Sequence, residues 1–566
     1  MRRTRIVVIG TSLVVMALFP CATLPALAQA VTGPSVQAGA KAVAQLAAKA
    51  PVPKGLLRSL TTRPERSNYN ETSRYDDVVK FMEAVAAAAP RTVHLATFGY
   101  SFEGRPLPLA VVGRVRDASP EAVTSSGKTR IYIQGNIHAD EVEGKEACLE
   151  LLRALGAGEH AEWLDSMVLL IGPIYNADGN EAITVKNRYN SPVGGVGQRA
   201  NRQTPINLDL NRDFMKLDSP EARSFAFLMQ RYDPHIVLDL HTTDGSIHGY
   251  RVTYAPPLHP ATAPGLVELA RRELLPAVTK EVKARYGWDY YYYGNFGRQA
   301  EPGAVRTFST TEPGPRYSTN YVGMRNRIGI LSETYSYLLF RDRIAAARAF
   351  VEGVCVFAGR NGAKIRKAAT EADAQSVAGQ VVALSGKPVR SAEPVDILVG
   401  EITTVKHPYT GGRLRVATGV TRPEKMYEST WFEADETTRA PRAYLVPANL
   451  DAVVDRLEAH GVKFSKLAEA AAFKVEQFRI ASSTLAGRDY QGHKARAITG
   501  AWENAEQNVP AGTIVVPVDQ ALGRLVVLLL EPRSEDGLAA WNLMDPVLEK
   551  EKPAFYPVLR TMEEVK

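Results

Sequence analysis

The residues of this sequence best suited to chemistry are two histidines and two glutamates. His138 and Glu141 stand three residues apart in the segment GNIHADEVEGKEA, and His241 and Glu333 come later in the chain. Zinc binds imidazole nitrogen and carboxylate oxygen at about 2.0 to 2.2 Å, and a close pair of ligands with a distant third leaves a fourth position for water. His138, Glu141 and His241 are therefore candidate metal ligands, with Glu333 as a further carboxylate.

Two other histidines compete with His241 for the place of third ligand. His235 precedes the apolar segment that His241 follows, and His248 lies well beyond the end of that segment. A side chain directly after a strand is the best placed of the three, so the sequence favours His241.

Three short apolar segments must position these side chains. Residues 129–134, 235–240 and 327–331 are short and rich in β-branched residues, which predicts buried strands. Each segment is followed by one or more of the polar candidates. Because open α/β sheets collect their ligands at the carboxyl ends of strands, we expect the four side chains to meet at one sheet edge.

The sequence divides into four parts. Residues 1–30 predict a signal peptide, and residues 31–68, rich in Ala, Pro, Ser and Thr, predict a leader or linker. Alternating apolar segments and helical patterns over residues 69–365 predict an α/β domain with a mixed, largely parallel central sheet and helices on both faces. Residues 370–566 have more strand patterns and predict a separate β-rich accessory domain.

The first 30 residues have the three parts of an export signal. Arg2, Arg3 and Arg5 form a basic start, residues 6–19 form an apolar core, and ALA or AQA follows as a small-residue cleavage site. The apolar core is shorter than the roughly 20 residues that a spanning helix needs. We therefore expect an exported protein, periplasmic or secreted, with no stable membrane insertion after the signal is removed.

Composition excludes several classes of protein. The chain has 566 residues, 45% of them hydrophobic, so a large packed core is expected. Its three cysteines are too few for a disulfide framework, and it is left open whether Cys148 and Cys355 pair. The net charge is +7, and three of these positive charges are the arginines of the signal. The charge that remains on the rest of the chain is small, which argues against a nucleic acid partner. The apolar run 525–530 is too short to span a bilayer and predicts a buried strand.

Five motifs follow the order and approximate spacing of a known family. They are HADE at 138–141, NADGNEA at 176–182, DLNRDF at 209–214, DLHTTDG at 239–245 and LSETY at 331–335. Together they resemble the zinc carboxypeptidase family, the metallopeptidases related to carboxypeptidase A. Residues 99–113, GYSFEGRPLPLAVVG, are similar to the family's early hairpin, and the resemblance covers about residues 70–360.

The resemblance implies one zinc ion, Zn2+, held by His138, Glu141 and His241. It also implies that Glu333 is the general base, which takes a proton from a water on the zinc. Asp209 would be the carboxylate that orients the first zinc histidine.

The resemblance further implies where a substrate binds. Asn211 and Arg212 look like the family's pair for the terminal carboxylate, and a guanidinium offers a bidentate match to a carboxylate. This implies an exopeptidase that hydrolyses peptide bonds at the substrate C-terminus.

Two further positions have alternatives. Arg199, which spacing favours, or Arg202 would stabilise the oxyanion that develops during hydrolysis. Tyr317 or Tyr321 would close over the substrate.

Three functions compete. An exported zinc metallocarboxypeptidase acting on peptides leads. A zinc amidase or deacylase acting on N-acyl amino acids or cell-wall peptides is the alternative, because related zinc enzymes use the same ligands. A binding protein that has kept only the scaffold is third, and the presence of every ligand and of Glu333 counts against it. The oligomeric state is left open.

Overall fold

The fold is built around a mixed β-sheet whose middle strands are buried. The computed structural model describes residues 54–182, 208–243, 245–299, 301, 303–406, 411–549 and 553–565. The first ten strands are β1 (Val93–Tyr100), β2 (Pro106–Val112), β3 (Thr129–Gly135), β4 (Met167–Gly172), β5 (Ile236–Thr242), β6 (Val252–Ala255), β7 (Tyr290–Tyr292), β8 (Asn295–Phe296), β9 (Thr307–Ser309) and β10 (Ile328–Thr334).

Within the described residues, eight of these strands form the central sheet in the order β1-β2-β4-β3-β5-β10-β6-β7. The four neighbours β4, β3, β5 and β10 run parallel to one another. The pairs β1–β2, β2–β4 and β10–β6 are antiparallel, and β6–β7 is parallel. The predicted class, a mixed and largely parallel α/β sheet, is confirmed.

The burial of the middle strands requires cover on both sides of the sheet. Every residue of β3, β4 and β5 is buried. Because successive side chains of a strand point to opposite faces, both faces of the sheet must be packed. Apolar side chains on both faces therefore supply the core.

Helices surround this sheet and continue into the C-terminal region. The helices are α1 (Lys54–Ser59), α2 (Arg63–Arg66), α3 (Tyr75–Ala88), α4 (Pro120–Thr124), α5 (Glu143–Gly156), α6 (Trp163–Ser166), α7 (Ala177–Glu181), α8 (Pro220–Tyr232), α9 (Pro264–Glu268), α10 (Leu275–Tyr286), α11 (Ser318–Met324), α12 (Phe340–Ala374), α13 (Asp451–His460), α14 (Gly523–Leu530) and α15 (Asp545–Leu548). A 3₁₀ turn spans Leu210–Arg212, and a π-helical segment, Leu269–Leu274, joins α9 to α10.

Local sequence signals explain where these helices begin and end. In α8, the hydroxyl of Ser219 accepts a hydrogen bond from the backbone of Ala222 at 3.1 Å, and Pro220 occupies the first helical position. Asp233 ends the helix in the left-handed region, at φ 46°. Capping by serine, proline at the first turn and a left-handed residue at the end are the standard helix boundaries.

The C-terminal region is rich in strands, as predicted. The strands are β11 (Val381–Ala383), β12 (Gly386–Val389), β13 (Val395–Lys406), β14 (Arg413–Ser429), β15 (Trp431–Ala434), β16 (Thr437–Arg439), β17 (Ala443–Val446), β18 (Ser465–Lys466), β19 (Ala471–Leu485), β20 (Arg496–Val509), β21 (Ile514–Pro517) and β22 (Leu559–Thr561). Two long antiparallel pairs, β13–β14 and β19–β20, dominate it.

The C-terminal strands share hydrogen bonds with the N-terminal half of the chain. The end of β14 pairs with β9 in parallel, Tyr427 opposite Thr307. Helix α12 continues past residues 365–370, where the sequence predicted the boundary between the α/β domain and the accessory domain. All described residues belong to one compact unit, Pro51–Lys566. The strand-rich region is therefore packed directly against the α/β region.

The last part of the predicted linker is also packed. Leu57 in α1 is buried. In α2, both carboxylate oxygens of Glu65 accept hydrogen bonds from Arg153 of α5, at 2.7 and 2.8 Å. Residues 54–68 therefore belong to the folded unit, whereas the predicted signal, residues 1–30, lies outside the described residues.

One predicted strand is a helix. Residues 525–530 lie in α14, and every side chain of α14 is buried. A short run that is apolar on all sides has no periodicity to separate a buried strand from a buried helix. The prediction was wrong because leucine, which favours helices, makes up most of this run.

The two cysteines of the described residues do not pair. Cys148 in α5 and Cys355 in α12 are both buried free thiols. Among the described residues, none of the helices combines the length and the apolar character that crossing a bilayer requires.

Candidate metal centre and active-site cleft

The loop that carries His138 and Glu141 begins at a tight approach between strand and helix. A Cβ at Gly135, the last residue of β3, would lie 2.8 Å from the carbonyl oxygen of Pro173 and 2.9 Å from the backbone nitrogen of Lys145. Only glycine fits there. The next residue, Asn136, has φ 64°, which turns the chain away from the strand direction.

Two asparagines hold this loop. The side-chain nitrogen of Asn136 donates to the carbonyl oxygens of His138 and Glu141, at 3.2 and 3.3 Å. The side-chain nitrogen of Asn176, from the NADGNEA motif, donates to the carbonyl of Ile137 at 3.1 Å. These side-chain hydrogen bonds hold the loop backbone in one conformation, and the backbone in turn sets the direction of the His138 and Glu141 side chains.

His138, Glu141 and His241 converge on one point. Nδ1 of His138 lies 3.0 Å from Oε1 of Glu141, and Nδ1 of His241 lies 2.8 Å from Oε2 of the same glutamate. The two Nδ1 atoms are 3.1 Å apart. Two nitrogens that bind one tetrahedral ion at about 2.0 Å would lie about 3.3 Å apart, so the donor set fits zinc in both chemistry and spacing.

A carboxylate stands behind each imidazole. Oδ1 of Asp209 lies 3.1 Å from Nε2 of His138, and Oδ2 of Asp239 lies 3.1 Å from Nε2 of His241. Asp239 also accepts a hydrogen bond from the hydroxyl of Ser318. A carboxylate only accepts, so with a metal ion at the common point each Nε2 would carry the hydrogen of its ring and each Nδ1 lone pair would face the ion.

The electrostatics of the cluster favour positive charge at its centre. Burial alone lowers the pKa of His241, but the carboxylates of Asp239 and Glu141 outweigh burial and raise that pKa well above its ordinary value. Burial raises the pKa of Asp239, whereas the charge and hydrogen bond of His241 lower it, with a net decrease. A cation held here would interact with the same carboxylates.

Glu333 lies beside the cluster because of strand register. Strands β5 and β10 are parallel neighbours, and Glu333 is paired directly with His241. Residues paired in this way point to the same face of a sheet. Glu333 is half-buried and lines a cavity of about 180 Å³ together with His138, Glu141 and His241.

Asn211 and Arg212 line the same cavity. The side-chain oxygen of Asn211 accepts a hydrogen bond from the backbone of Ser318 at 2.9 Å. The guanidinium of Arg212 donates to the carbonyl of Asn211 at 2.8 Å, lies 3.8 Å from Asp209 and stacks 4.3 Å from the centre of the Tyr317 ring. Burial lowers the pKa of Arg212, but the Asp209 carboxylate and the neighbouring tyrosines outweigh it, so this side chain stays charged.

The structure separates the two candidate tyrosines. Tyr317 directly precedes α11 and lines the cavity, and burial raises its pKa to about 12, so its hydroxyl stays neutral. Tyr321 lies one helical turn later, is fully buried and forms a hydrogen bond of 2.8 Å with Nδ1 of His460. Tyr321 therefore belongs to the core and does not face the cavity.

The competing residues lie elsewhere. His235 precedes β5, at the strand's opposite end from His241, and its Nδ1 accepts a hydrogen bond from the backbone of Arg130 at 3.0 Å. His248 is buried beside the β13 strand. Within the described parts of the chain, His138, Glu141 and His241 are the one group of metal-binding side chains close enough to share an ion. Arg199 and Arg202 lie outside the described residues.

Sequence reasoning missed several residues of this site. Asp239 stands two residues before His241 on β5, and this spacing, which puts both side chains on one face of the strand, was a usable signal. Asn176 lies within a quoted motif but had no assigned role. Gln491, from the β19–β20 connection, also reaches the site, and no motif marks it.

Residues 78–327 match the family model of the zinc carboxypeptidases. This part of the chain is a zinc carboxypeptidase domain. The family consists of zinc-dependent metallo-carboxypeptidases, so the chain is an enzyme of that class. The matched range ends before β10 and so does not include Glu333.

Curated relatives carry carboxypeptidase names. Carboxypeptidase 2 of Trichophyton tonsurans is 25% identical over 487 residues, which cover 83% of this chain and 82% of that protein. Carboxypeptidase Z of Mus musculus is 28% identical over 155 residues, 26% of this chain and 22% of that protein. A solved metallo-carboxypeptidase from Burkholderia cenocepacia is 16% identical, with a TM-score of 0.38, over 51% of this chain and 70% of its own.

The carboxylate of Asp239 should tune metal affinity. Replacing it, Asp239→Asn, keeps the shape but removes the charge that holds the Nε2 hydrogen of His241, so zinc affinity should fall by roughly 10-fold to 100-fold. Competition with a chromophoric chelator measures this. Asp76→Asn on the exposed face of α3 is the matched control and should leave the affinity unchanged. A folded Asp239→Asn protein with unchanged zinc affinity would contradict the assignment.

Proposed function

We propose that this protein is an exported, zinc-dependent exopeptidase that hydrolyses the last peptide bond at the C-terminus of peptides. One observation carries the proposal. The metal-binding cluster, a further carboxylate and an arginine line a single cavity. The cluster is His138, Glu141 and His241, the carboxylate is that of Glu333, and the arginine is Arg212. A metal, a base and a receptor for a terminal carboxylate are the groups that such a reaction needs.

A single zinc ion fits between His138, Glu141 and His241. When bound, zinc supplies Lewis-acid chemistry, which acidifies water and polarises the carbonyl of the bond to be cleaved. The two histidines and the glutamate hold the ion, and the carboxylates of Asp209 and Asp239 keep the imidazoles in the tautomer that binding requires.

Glu333 acts as the general base. Its carboxylate takes a proton from the attacking water and returns that proton to the nitrogen of the leaving amine, so the same group serves both halves of the reaction. The support for this role is the register of β10 with β5, which puts Glu333 on the same face as His241. Arg199, or Arg202 in its place, stabilises the oxyanion that forms on the carbonyl oxygen.

Asn211 and Arg212 bind the terminal carboxylate of the substrate. A guanidinium that is held on one face by the Tyr317 ring and at its edge by the Asn211 carbonyl presents its remaining donors in a fixed direction. Such a fork matches the two oxygens of a carboxylate. The cavity of about 180 Å³ is smaller than the roughly 300 Å³ of pockets for drug-sized ligands, which suits one terminal residue.

The other functions have less support. The zinc amidase or deacylase that the sequence left open is not favoured by the family model or by the names of the curated relatives. The proposal of export rests on the basic start, the apolar core and the small-residue cleavage site within residues 1–30. Export fits an enzyme whose substrates are peptides outside the cytoplasm.

Removing the base should stop turnover without releasing the metal. The Glu333→Gln protein should lose roughly 10²-fold to 10⁴-fold in kcat, because the amide cannot accept the proton of the attacking water, while its zinc content stays at the wild-type level. Steady-state kinetics on a C-terminal peptide series and metal analysis measure the two effects. Glu268→Gln, on the exposed surface of α9, is the control. Wild-type turnover in Glu333→Gln would remove this residue from the base role.

Removing the arginine should abolish the preference for a free carboxylate. For peptides with a free C-terminus, kcat/KM of the Arg212→Ala protein should fall about 10²-fold, whereas the slow hydrolysis of C-terminally amidated peptides should hardly change. Arg231→Ala, at the exposed end of α8, is the control. The same kinetic assays should include N-acyl amino acids, the substrates of the alternative amidase or deacylase. An equal loss on free and amidated peptides, or a preference for N-acyl amino acids, would refute the exopeptidase proposal.

A further inference from the structure

One charged side chain of the active-site cavity has no role in the proposed reaction. The metal cluster, Glu333 and Arg212 account for all but one of the charged or metal-binding side chains among the described residues that line the cavity. The remaining one is Glu312, which is exposed. A carboxylate that faces water in an enzyme cavity is available to a complementary charge on the substrate.

A single aromatic ring links Glu312 to the proposed receptor for the substrate carboxylate. The guanidinium of Arg212 lies 4.3 Å from the centre of the Tyr317 ring. At the hydroxyl end of that ring, Tyr317 donates to a carboxylate oxygen of Glu312 at 3.4 Å. This contact is long for a hydroxyl donor, so the carboxylate can still accept stronger hydrogen bonds. A positive and a negative side chain thus contact the same ring in one cavity.

The two nearest arginines along the chain do not cancel the charge of Glu312. The guanidinium of Arg306 pairs with Glu424 at 2.6 Å. The guanidinium of Arg316 pairs with the fully buried carboxylate of Asp536 at 2.9 Å. A bound substrate would neutralise the receptor arginine with its own terminal carboxylate. Glu312 would then be the unmatched negative charge beside the substrate.

Part of the cavity wall is apolar. Ala255, Leu258 and Leu331 line the cavity together with the polar groups. Ala255 and Leu258 form a buried apolar cluster with Phe432 of β15, and Leu331 packs against that cluster. A substrate side chain with an apolar stem can therefore remove its stem from water against this wall.

The C-terminal region fixes both ends of the segment that carries Glu312, residues 310–316. The backbone nitrogen of Thr310 donates to the carbonyl of Ser429, the last residue of β14, at 3.0 Å. The backbone nitrogen of Arg316 donates to the carboxylate of Asp536 at 2.9 Å. Because the fold already holds this segment, little ordering of its backbone is needed when a substrate binds.

We propose that Glu312 makes this enzyme selective for peptides that end in lysine or arginine. The carboxylate of the terminal residue binds Arg212, its apolar stem lies against the wall at Ala255, Leu258 and Leu331, and its cationic head contacts Glu312. Lysine and arginine are the residues that combine a long methylene stem with a cation. This inference rests on the proposed role of Arg212 as the receptor for the substrate's terminal carboxylate.

Peptides that end in lysine or in norleucine measure the preference directly, because the two residues have nearly the same stem and differ in charge. For the wild-type, full-length enzyme, kcat/KM should be roughly tenfold higher for the lysine peptide, and the arginine peptide should behave like lysine. The ratio should shrink between about 0.1 M and about 1 M salt, because the Glu312 carboxylate is exposed and salt screens it.

The Glu312→Gln substitution removes the charge and keeps the shape. The ratio of kcat/KM for lysine over norleucine should fall to about one, whereas the preference for free over amidated C-termini should remain. The thermal unfolding midpoint should stay at the wild-type value, because exposed side chains contribute little to stability. The matched control is Glu371→Gln on the exposed surface of α12, which should keep the wild-type ratio.

A charge reversal gives the converse test. The Glu312→Lys protein should prefer peptides that end in glutamate over peptides that end in lysine, since the sign of the charge beside the substrate side chain is inverted. Three results would overturn the inference: a wild-type enzyme that does not prefer lysine to norleucine, a wild-type ratio in Glu312→Gln, or no reversal in Glu312→Lys. The proposed function fails by a different result, which is a wild-type enzyme that does not distinguish free from amidated C-termini.

Discussion

Two imidazole nitrogens and the oxygens of one glutamate lie about 3 Å from one another at a buried point of the sheet edge. Without a cation, the carboxylates of Glu141, Asp209 and Asp239 around the two rings favour protonation, and the pKa of His241 accordingly lies well above its ordinary value. A divalent ion would take the place of that proton, and every one of these groups would then contact or support its positive charge. The remaining features of the site follow from the need to hold these groups in place.

The parallel strands meet most of this need. Strands β3 and β5 end at the same edge of the sheet, so the loop with His138 and Glu141 comes next to His241, and the register of β10 adds Glu333. The substrate side is assembled differently. Arg212 lies on a short 3₁₀ turn, which offers little rigidity of its own, and it is held by Tyr317 and Asp209. The backbone of Asp209 is bonded in turn to Gln491, about 280 residues later in the chain. The metal side thus depends on the sheet, and the substrate side depends on contacts between distant loops.

This difference explains how much the sequence could predict. The three ligands and Glu333 each lie in or just after a β-branched segment, so their convergence followed from the rule that ligands collect at strand ends. The choice between Tyr317 and Tyr321 could not be made, because both lie near the start of one helix and only packing decides which faces the cavity. Gln491 was invisible because nothing in the sequence of a connection between two strands indicates which surface it will touch. The run 525–530 was misassigned for a related reason, since complete burial removes the periodicity that would distinguish a helix.

The most direct test of the account is a crystal structure of the full-length protein grown with zinc, with anomalous scattering measured on both sides of the zinc absorption edge. The account predicts one strong zinc peak within about 2.0 to 2.3 Å of Nδ1 of His138, the carboxylate of Glu141 and Nδ1 of His241. A zinc peak at another position, with these three side chains unligated, would contradict it.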